Sequence, residues 1–251
     1  MMEELKSTSN KPRPVFIAAL PREIASIVAK RGWRAHSNLL ALKIHLFEHE
    51  DAVIACAGMG VDRASLAVGA AMEFGPAAEL ISVGWAGSCH DQCRVGDIFR
   101  PTIVCDIRTG ERIFTQDLKQ TLAEDKPVEH QILVTVPKPA GRREKVNIGI
   151  SYYARAVDME ASAVGRIALA HDIPFNAIKA ISDGADFELP DLEKFSTADG
   201  QFREAAFGLH VALRPNLWKP VLTLAKGSTL AAKRLSTEIE AHILKHRDRK
   251  S

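Results

Sequence analysis

Three acidic residues of this chain stand just past apolar runs. Glu23 follows VFIAALPR, Glu160 follows ARAVDM, and Asp183 follows FNAIKAIS. A carboxylate beside a core-like run is costly unless it is paired, hydrogen-bonded or put to use. Capping is one use, since an acid near a helix N-terminus gains about 0.3–1 kcal/mol. Three such acids at one edge of a sheet point to more, because carboxyls held in different surroundings can divide acid and base work. The stretch AVDMEASAVG (156–165) adds Asp158, one residue before Met159. Alternation along a strand turns Asp158 to the face opposite Met159, so a structural role such as capping is expected for it.

The elements that must position these acids read as alternating strands and helices. VFIAAL (15–20), DAVIACAGMG (51–60), AELISVGWAG (78–87) and FNAIKAIS (175–182) are short continuous apolar runs, the pattern of buried strands. GDIFRPTIVC (96–105) and QILVTVP (131–137) are further strand candidates, with a polar, irregular surface segment expected between them. PREIASIVAKRG, VDRASLAVGAAMEFG and EASAVGRIALAHD read as helices, the first with Pro21 at its start. From about residue 201 two helical segments are expected, interrupted at RPNLWKP. The fold class is therefore α/β: a mixed, mostly parallel central sheet flanked by helices, with extra C-terminal helices. Residues 1–14 read as a disordered polar leader, and 15–251 as a single domain.

Such sheets bind ligands at the carboxyl ends of their strands. Gly58, Gly60, Gly84, Gly87, Ser182 and Asp183 collect there. No GxGxxG opens a helix, and neither a P-loop nor a GxSxG elbow is present, so dinucleotides, nucleoside triphosphates and serine-hydrolase chemistry are not indicated.

Composition narrows the classes. With 251 residues, 46% of them hydrophobic, the chain is long enough for a sizeable core. Lys+Arg 33 against Asp+Glu 31 leaves a formal charge of +2, which gives no electrostatic case for nucleic-acid binding. No secretory signal or transmembrane segment is visible, and four cysteines in such a chain are expected to be reduced, cytoplasmic thiols. CHDQC (89–93) matches no tight zinc spacing, so no metal and no other cofactor is expected.

AVDMEASAVGRIALAHDIPFNAIKAISDGAD resembles the signature of the nucleoside phosphorylase/nucleosidase family, and within it methylthioadenosine/S-adenosylhomocysteine nucleosidases. IAALPREI, CAGMGVDRA and VGWAGS...VGDI agree with that family in order. RPNLWKPVLTLAKGSTLAAKRL resembles the C-terminal part of hopanoid-associated phosphorylases, a branch of the same family. The resemblance implies cleavage of a purine nucleoside through an oxocarbenium-like sugar. It makes Asp183 the donor to purine N7, with a raised pKa, and Glu23 the base for the attacking water. Glu160 would accept ribose hydroxyls, with Met159 packed on the sugar. Gly84, Trp85, Ala86, Gly87 and Ser182 would line the pocket.

The family divides between water and phosphate as second substrate. Phosphorylases resemble one another in two arginines that hold the phosphate dianion. Here Glu23 stands near the first arginine position and Ser82 occupies the second, which favours water; Arg22, Arg63 and Arg94 are the candidates for phosphate. Trp85 replaces a small residue of the family turn, and LVTVPKPAGRREK carries no aromatic to stack on the base. Both changes fit a bulky apolar 5′ substituent; Trp85, Trp218 and Phe207 are the candidates to face it, core packing being the commoner fate of such side chains. A non-catalytic nucleoside-binding protein is the alternative from another class. The family also implies a homo-oligomer, a dimer being favoured.

Overall fold

A computed structural model describes residues 11–36, 39–124, 131–188, 193–195, 197 and 203–248. In chain order the elements are β1 (Arg13–Ala18), α1 (Pro21–Val28), β2 (Arg34–His36), β3 (His45–His49), β4 (Ala52–Cys56), α2 (Val61–Phe74), β5 (Ala77–Ser88), β6 (Ile98–Phe99) and β7 (Ile103–Asp106). Then follow β8 (Arg112–Phe114), α3 (Gln116–Ala123), β9 (Ile132–Thr135), α4 (Arg142–Tyr152), β10 (Ala154–Asp158), α5 (Ala161–Ala170), β11 (Phe175–Asp183), α6 (Glu204–Ala212) and α7 (Pro215–Asp248).

The sheet runs β2-β3-β4-β1-β5-β10-β9-β7-β8, and β11 pairs with both β5 and β6. β5 is the axis of the molecule. It pairs in parallel with β1 and β11, while its last two residues meet β10 antiparallel, Gly87 opposite Val157 and Ser88 opposite Ala156. The parallel core strands β1, β4 and β11 are buried along their whole length, as their unbroken apolar runs require. The fold is the mixed α/β architecture read from the sequence.

Helices cover both faces. Ala64, Ala67, Val68 and Ala71 of α2 and Ala161, Val164 and Ala168 of α5 pack in one core. Ile24 and Ile27 of α1 pack in the other with Ala231, Leu235, Ile239 and Ile243 of α7. The four α7 positions recur every fourth residue, which makes one buried stripe against the sheet. Each large apolar side chain so buried contributes about 1.5–3 kcal/mol. Gly227 lets α7 lie on the sheet, since a Cβ there would collide with the Ser182 carbonyl oxygen.

Several local readings need correction. Arg13 and Pro14, read with the leader, belong to β1; residues 1–10 lie outside the described residues. The run 96–105 is two strands, because Pro101 lacks the N–H that a continuous ladder needs. Residues 125–130 lie outside the described residues, but as far as Glu124 the segment after β7 is not irregular. It forms β8 and α3, the latter capped by Thr115, whose Oγ1 accepts from Leu118 N–H at 3.4 Å. Two C-terminal helices are present as expected, but α7 starts at Pro215 and continues through Pro220, so the break is confined to Leu213 and Arg214.

Candidate active site

The carboxyl ends of β1, β5, β10 and β11 open into one cavity of about 500 Å3, roofed by α7. Glu23, Trp85, Ala86, Gly87, Met159, Glu160, Ser182 and Asp183 all line it. Gly84 does not line the cavity but stands behind Glu23. GWAG (84–87) is strand rather than turn, in register with Lys179, Ala180, Ile181 and Asp183 of β11.

Glu23 lies in the first turn of α1 and folds back on the chain that enters the helix. Its Oε2 accepts from Ala19 N–H and Leu20 N–H, both at 3.0 Å, and Oε1 accepts from Trp85 N–H at 3.2 Å. Capping and facing the cavity are thus done by one side chain. Burial pushes the Glu23 carboxyl above the usual carboxylate range, against the opposing pull of the Leu20 N–H and the Lys179 charge. Gly84, at φ +140°, makes the approach possible: a Cβ there would sit 3.1 Å from Glu23 Oε2.

Glu160 precedes α5 and reaches across to α2, where Gly60 N–H donates to Oε1 at 2.8 Å. Burial, with the charges of Asp158 and Glu23 behind it, pushes its carboxyl up to about 8; Lys179 and the Gly60 N–H pull the other way. Asp158 caps α5, as expected, accepting from Ala161 N–H at 2.8 Å. It also accepts from Thr135 Oγ1 at 2.7 Å and pairs with Lys179 Nζ at 2.9 Å. Lys179 donates as well to Ser82 Oγ at 2.9 Å. Burial works against the Lys179 ammonium, yet Asp158, Glu160 and Glu23 outweigh it and hold its pKa up.

A raised carboxyl pKa has a definite consequence for stability. Between the ordinary carboxylate value and about pH 8 the folded chain binds more protons at Glu160 than the unfolded chain does. Stability from this group is therefore lost as pH rises through that window. Melting temperature is expected to fall from pH 6 to pH 8.5, and Glu160→Gln, which fixes the neutral state, to flatten the slope and exceed the parent at pH 8.5. A variant with an unchanged pH slope would count against the buried, protonated Glu160.

Asp183 ends β11. Ser182 Oγ donates to its Oδ1 at 2.8 Å, and Lys145 Nζ of α4 donates to its Oδ2 at 2.6 Å. Gly87 leaves the room: a Cβ there would lie 3.1 Å from Asp183 Oδ2 and 3.3 Å from Lys145 Cδ. Among the described residues, no three His, Cys, Asp or Glu side chains gather as a metal site.

A phosphorylase superfamily model matches residues 14–213. The chain belongs to the phosphorylase superfamily, the group of nucleoside phosphorylases and nucleosidases. Solved structures agree in fold. The 5′-methylthioadenosine/S-adenosylhomocysteine nucleosidase of Neisseria meningitidis, in complex with methylthio-immucillin-A, superimposes with a TM-score of 0.66 at 19% identity, covering 94% of this chain and 100% of its own. The Arabidopsis thaliana 5′-methylthioadenosine nucleosidase gives 0.66 at 18%, covering 93% and 97%. Futalosine hydrolase of Helicobacter pylori gives 0.60 at 15%, covering 92% and 98%. A comparison with curated protein sequences finds no match.

Within this superfamily member, the other candidates separate. Of the three arginines considered for phosphate, Arg22 alone among them reaches the cavity, with its guanidinium 5.1 Å from the Trp85 ring centroid. Arg63 Nη2 donates instead to the carbonyls of Leu42 and Lys43, and Arg94 does not line the cavity. Phe207 lines it and packs edge-on against Phe195, with ring centroids 5.3 Å apart. Trp218 corrects the expectation: it is half exposed, lies outside the cavity lining and donates Nε1 to the Val211 carbonyl.

Lys145 and Lys179 are the site residues that sequence reasoning missed. Lys179 left a signal, as the one charged residue inside FNAIKAIS. Lys145 left none: it is buried with Ile148 on α4, among charged neighbours that do not mark it out.

Proposed function

We propose that this chain cleaves the N-glycosidic bond of a purine nucleoside, adenine being the favoured base, with water as the second substrate. One observation carries the reading. Glu23 enters the cavity from the first turn of α1 and Asp183 from the end of β11, one held by neutral backbone N–H groups and the other by an ammonium. Two separated carboxyls of unlike surroundings suit an inverting displacement. Asp183 gives a proton to purine N7, and Glu23 takes one from the attacking water. Glu160 receives the ribose hydroxyls, and Met159 packs against the sugar.

The choice of water rests on charge. Ser82 and Lys179 bond to each other, and Lys179 is further committed to Asp158, so this buried cation is not offered to a phosphate. Glu23 and Glu160 bring no positive charge to a dianion. Arg22 on Trp85 is the one feature that favours the second reading, phosphorolysis.

The apolar part of the lining supports an apolar 5′ substituent. Val221, Leu224 and Ala225 of α7 line the cavity together with Trp85 and Phe207. The α7 residues lie in the segment whose sequence resembles the hopanoid-associated branch.

The test is release of free base from methylthioadenosine, adenosylhomocysteine, adenosine and inosine, each with and without phosphate. Release independent of phosphate is the expected result. Strict dependence on phosphate would replace hydrolysis by phosphorolysis. No release from these or from a 5′-alkylated adenosine would favour a binding protein.

A further inference from the structure

Lys145 is one of the largest fully buried side chains of the described residues, at 0% exposure. Its Nζ donates to Asp183 Oδ2 at 2.6 Å and to the Gly184 carbonyl at 2.6 Å. It does not line the cavity, whereas Asp183 does. An ammonium taken out of water is costly, and a methionine of similar size would fill the same space without that cost. Lys179 already neutralises Asp158 in the floor of the site, so Lys145 serves Asp183 separately.

On the reading of Asp183 given above, we propose that Lys145 is a positioning residue that supplies Asp183 with the proton that leaves on the base. A carboxylate has a proton for N7 only when a partner hands it one. Transfer from Lys145 to Asp183 moves a proton between atoms already in hydrogen-bond contact and leaves the charge of the pair unchanged. Ser182 permits both states. Its Oγ carries one hydrogen, directed to Asp183 Oδ1 at 2.8 Å or to the Ala86 carbonyl at 3.4 Å. Turned to Ala86, it accepts from a protonated Asp183. Cys89, a titratable group beside the pair, is pushed up to about 12 by burial and stays a neutral thiol.

The step balances. The C1′–N9 bond breaks with its electron pair on the purine. N7 takes the proton of Asp183, and Asp183 takes one from Lys145, which becomes an amine. Water oxygen bonds C1′, and its proton passes to Glu23. Once the base has left, solvent in the cavity returns a proton to Lys145 through Asp183 and removes the proton from Glu23, so that one water is consumed.

Lys145→Met and Lys145→Arg would be compared with the parent on the best purine nucleoside and on p-nitrophenyl riboside, whose leaving group departs without a proton. Arginine keeps the charge and the donors but does not yield its proton. Both variants are expected to lose roughly 10²-fold in kcat on the nucleoside, within the range for general acid catalysis, with KM little changed and the nitrophenyl riboside rate retained. If Lys145→Met does not fold, the arginine variant decides by the same comparison. Full activity of Lys145→Arg on the nucleoside, or equal losses on both substrates, would overturn the proposal. If the nitrophenyl riboside is not cleaved by the parent, the arginine result on the nucleoside decides. A parent protein that releases base from neither substrate would instead overturn the functional reading, and this proposal with it.

Discussion

Asp183→Asn is expected to cut kcat for release of a purine base by roughly 10³-fold, within the span assigned to a general acid, while KM changes little. The amide still offers N7 a hydrogen bond, so binding survives, but it has no proton to give. The same variant is expected to be less stable. Lys145 is fully buried and loses the counter-charge 2.6 Å from its ammonium, and breaking such a pair costs about 3–5 kcal/mol. The Asn carbonyl oxygen, facing Lys145, offsets part of that. Single-turnover release of base separates the two effects, since it counts only folded, loaded enzyme. An Asn variant with the parent's single-turnover rate would remove Asp183 from the reaction.

Much of this site was legible before the structure because each acid breaks an apolar run. Glu23, Glu160 and Asp183 stood out by position, and the sheet brings all three to one cavity. The glycines were legible as well, though for an incomplete reason. Gly84 and Gly87 do not make a turn; they give up their Cβ atoms so that Glu23 and the Lys145–Asp183 pair can approach β5. What the chain concealed were partners distant in sequence. Lys145 stands in RREKVNIGISY, where four of the first five residues are charged, and nothing local shows that one of the four is buried. Its burial follows from where α4 packs, which is a tertiary fact. The hairpin of β2 and β3 and the short β8 escaped for a related reason: their alternation covers only three to five residues, too few to define a period. The role of α7 followed only from seeing Gly227 seated on the Ser182 carbonyl, with Val221 and Leu224 above the cavity.

Glu23→Gln tests the other half of the chemistry, and kcat is expected to fall roughly 10²- to 10³-fold. The capping reading and the general-base reading diverge here. If Glu23 only caps, glutamine serves nearly as well: its carbonyl oxygen can accept from Ala19 N–H and Leu20 N–H in place of Oε2. The amide NH2 would then face Trp85 N–H, donor against donor, at a cost of about 1–3 kcal/mol in stability. A pure cap thus predicts a lower melting temperature with the parent's kcat, whereas a base predicts loss of kcat in protein that is still folded. Gly84→Ala probes the same carboxylate from behind. Its new Cβ would lie 3.1 and 3.2 Å from the two Glu23 oxygens, on a backbone at φ +140° that alanine adopts only under strain. Displacing Glu23 this way should lower kcat in the same direction as Glu23→Gln, and the double variant should be no slower than Glu23→Gln alone. Losses that multiplied in the double variant would mean that Gly84 acts on something other than Glu23, and the base would have to be sought elsewhere in the cavity.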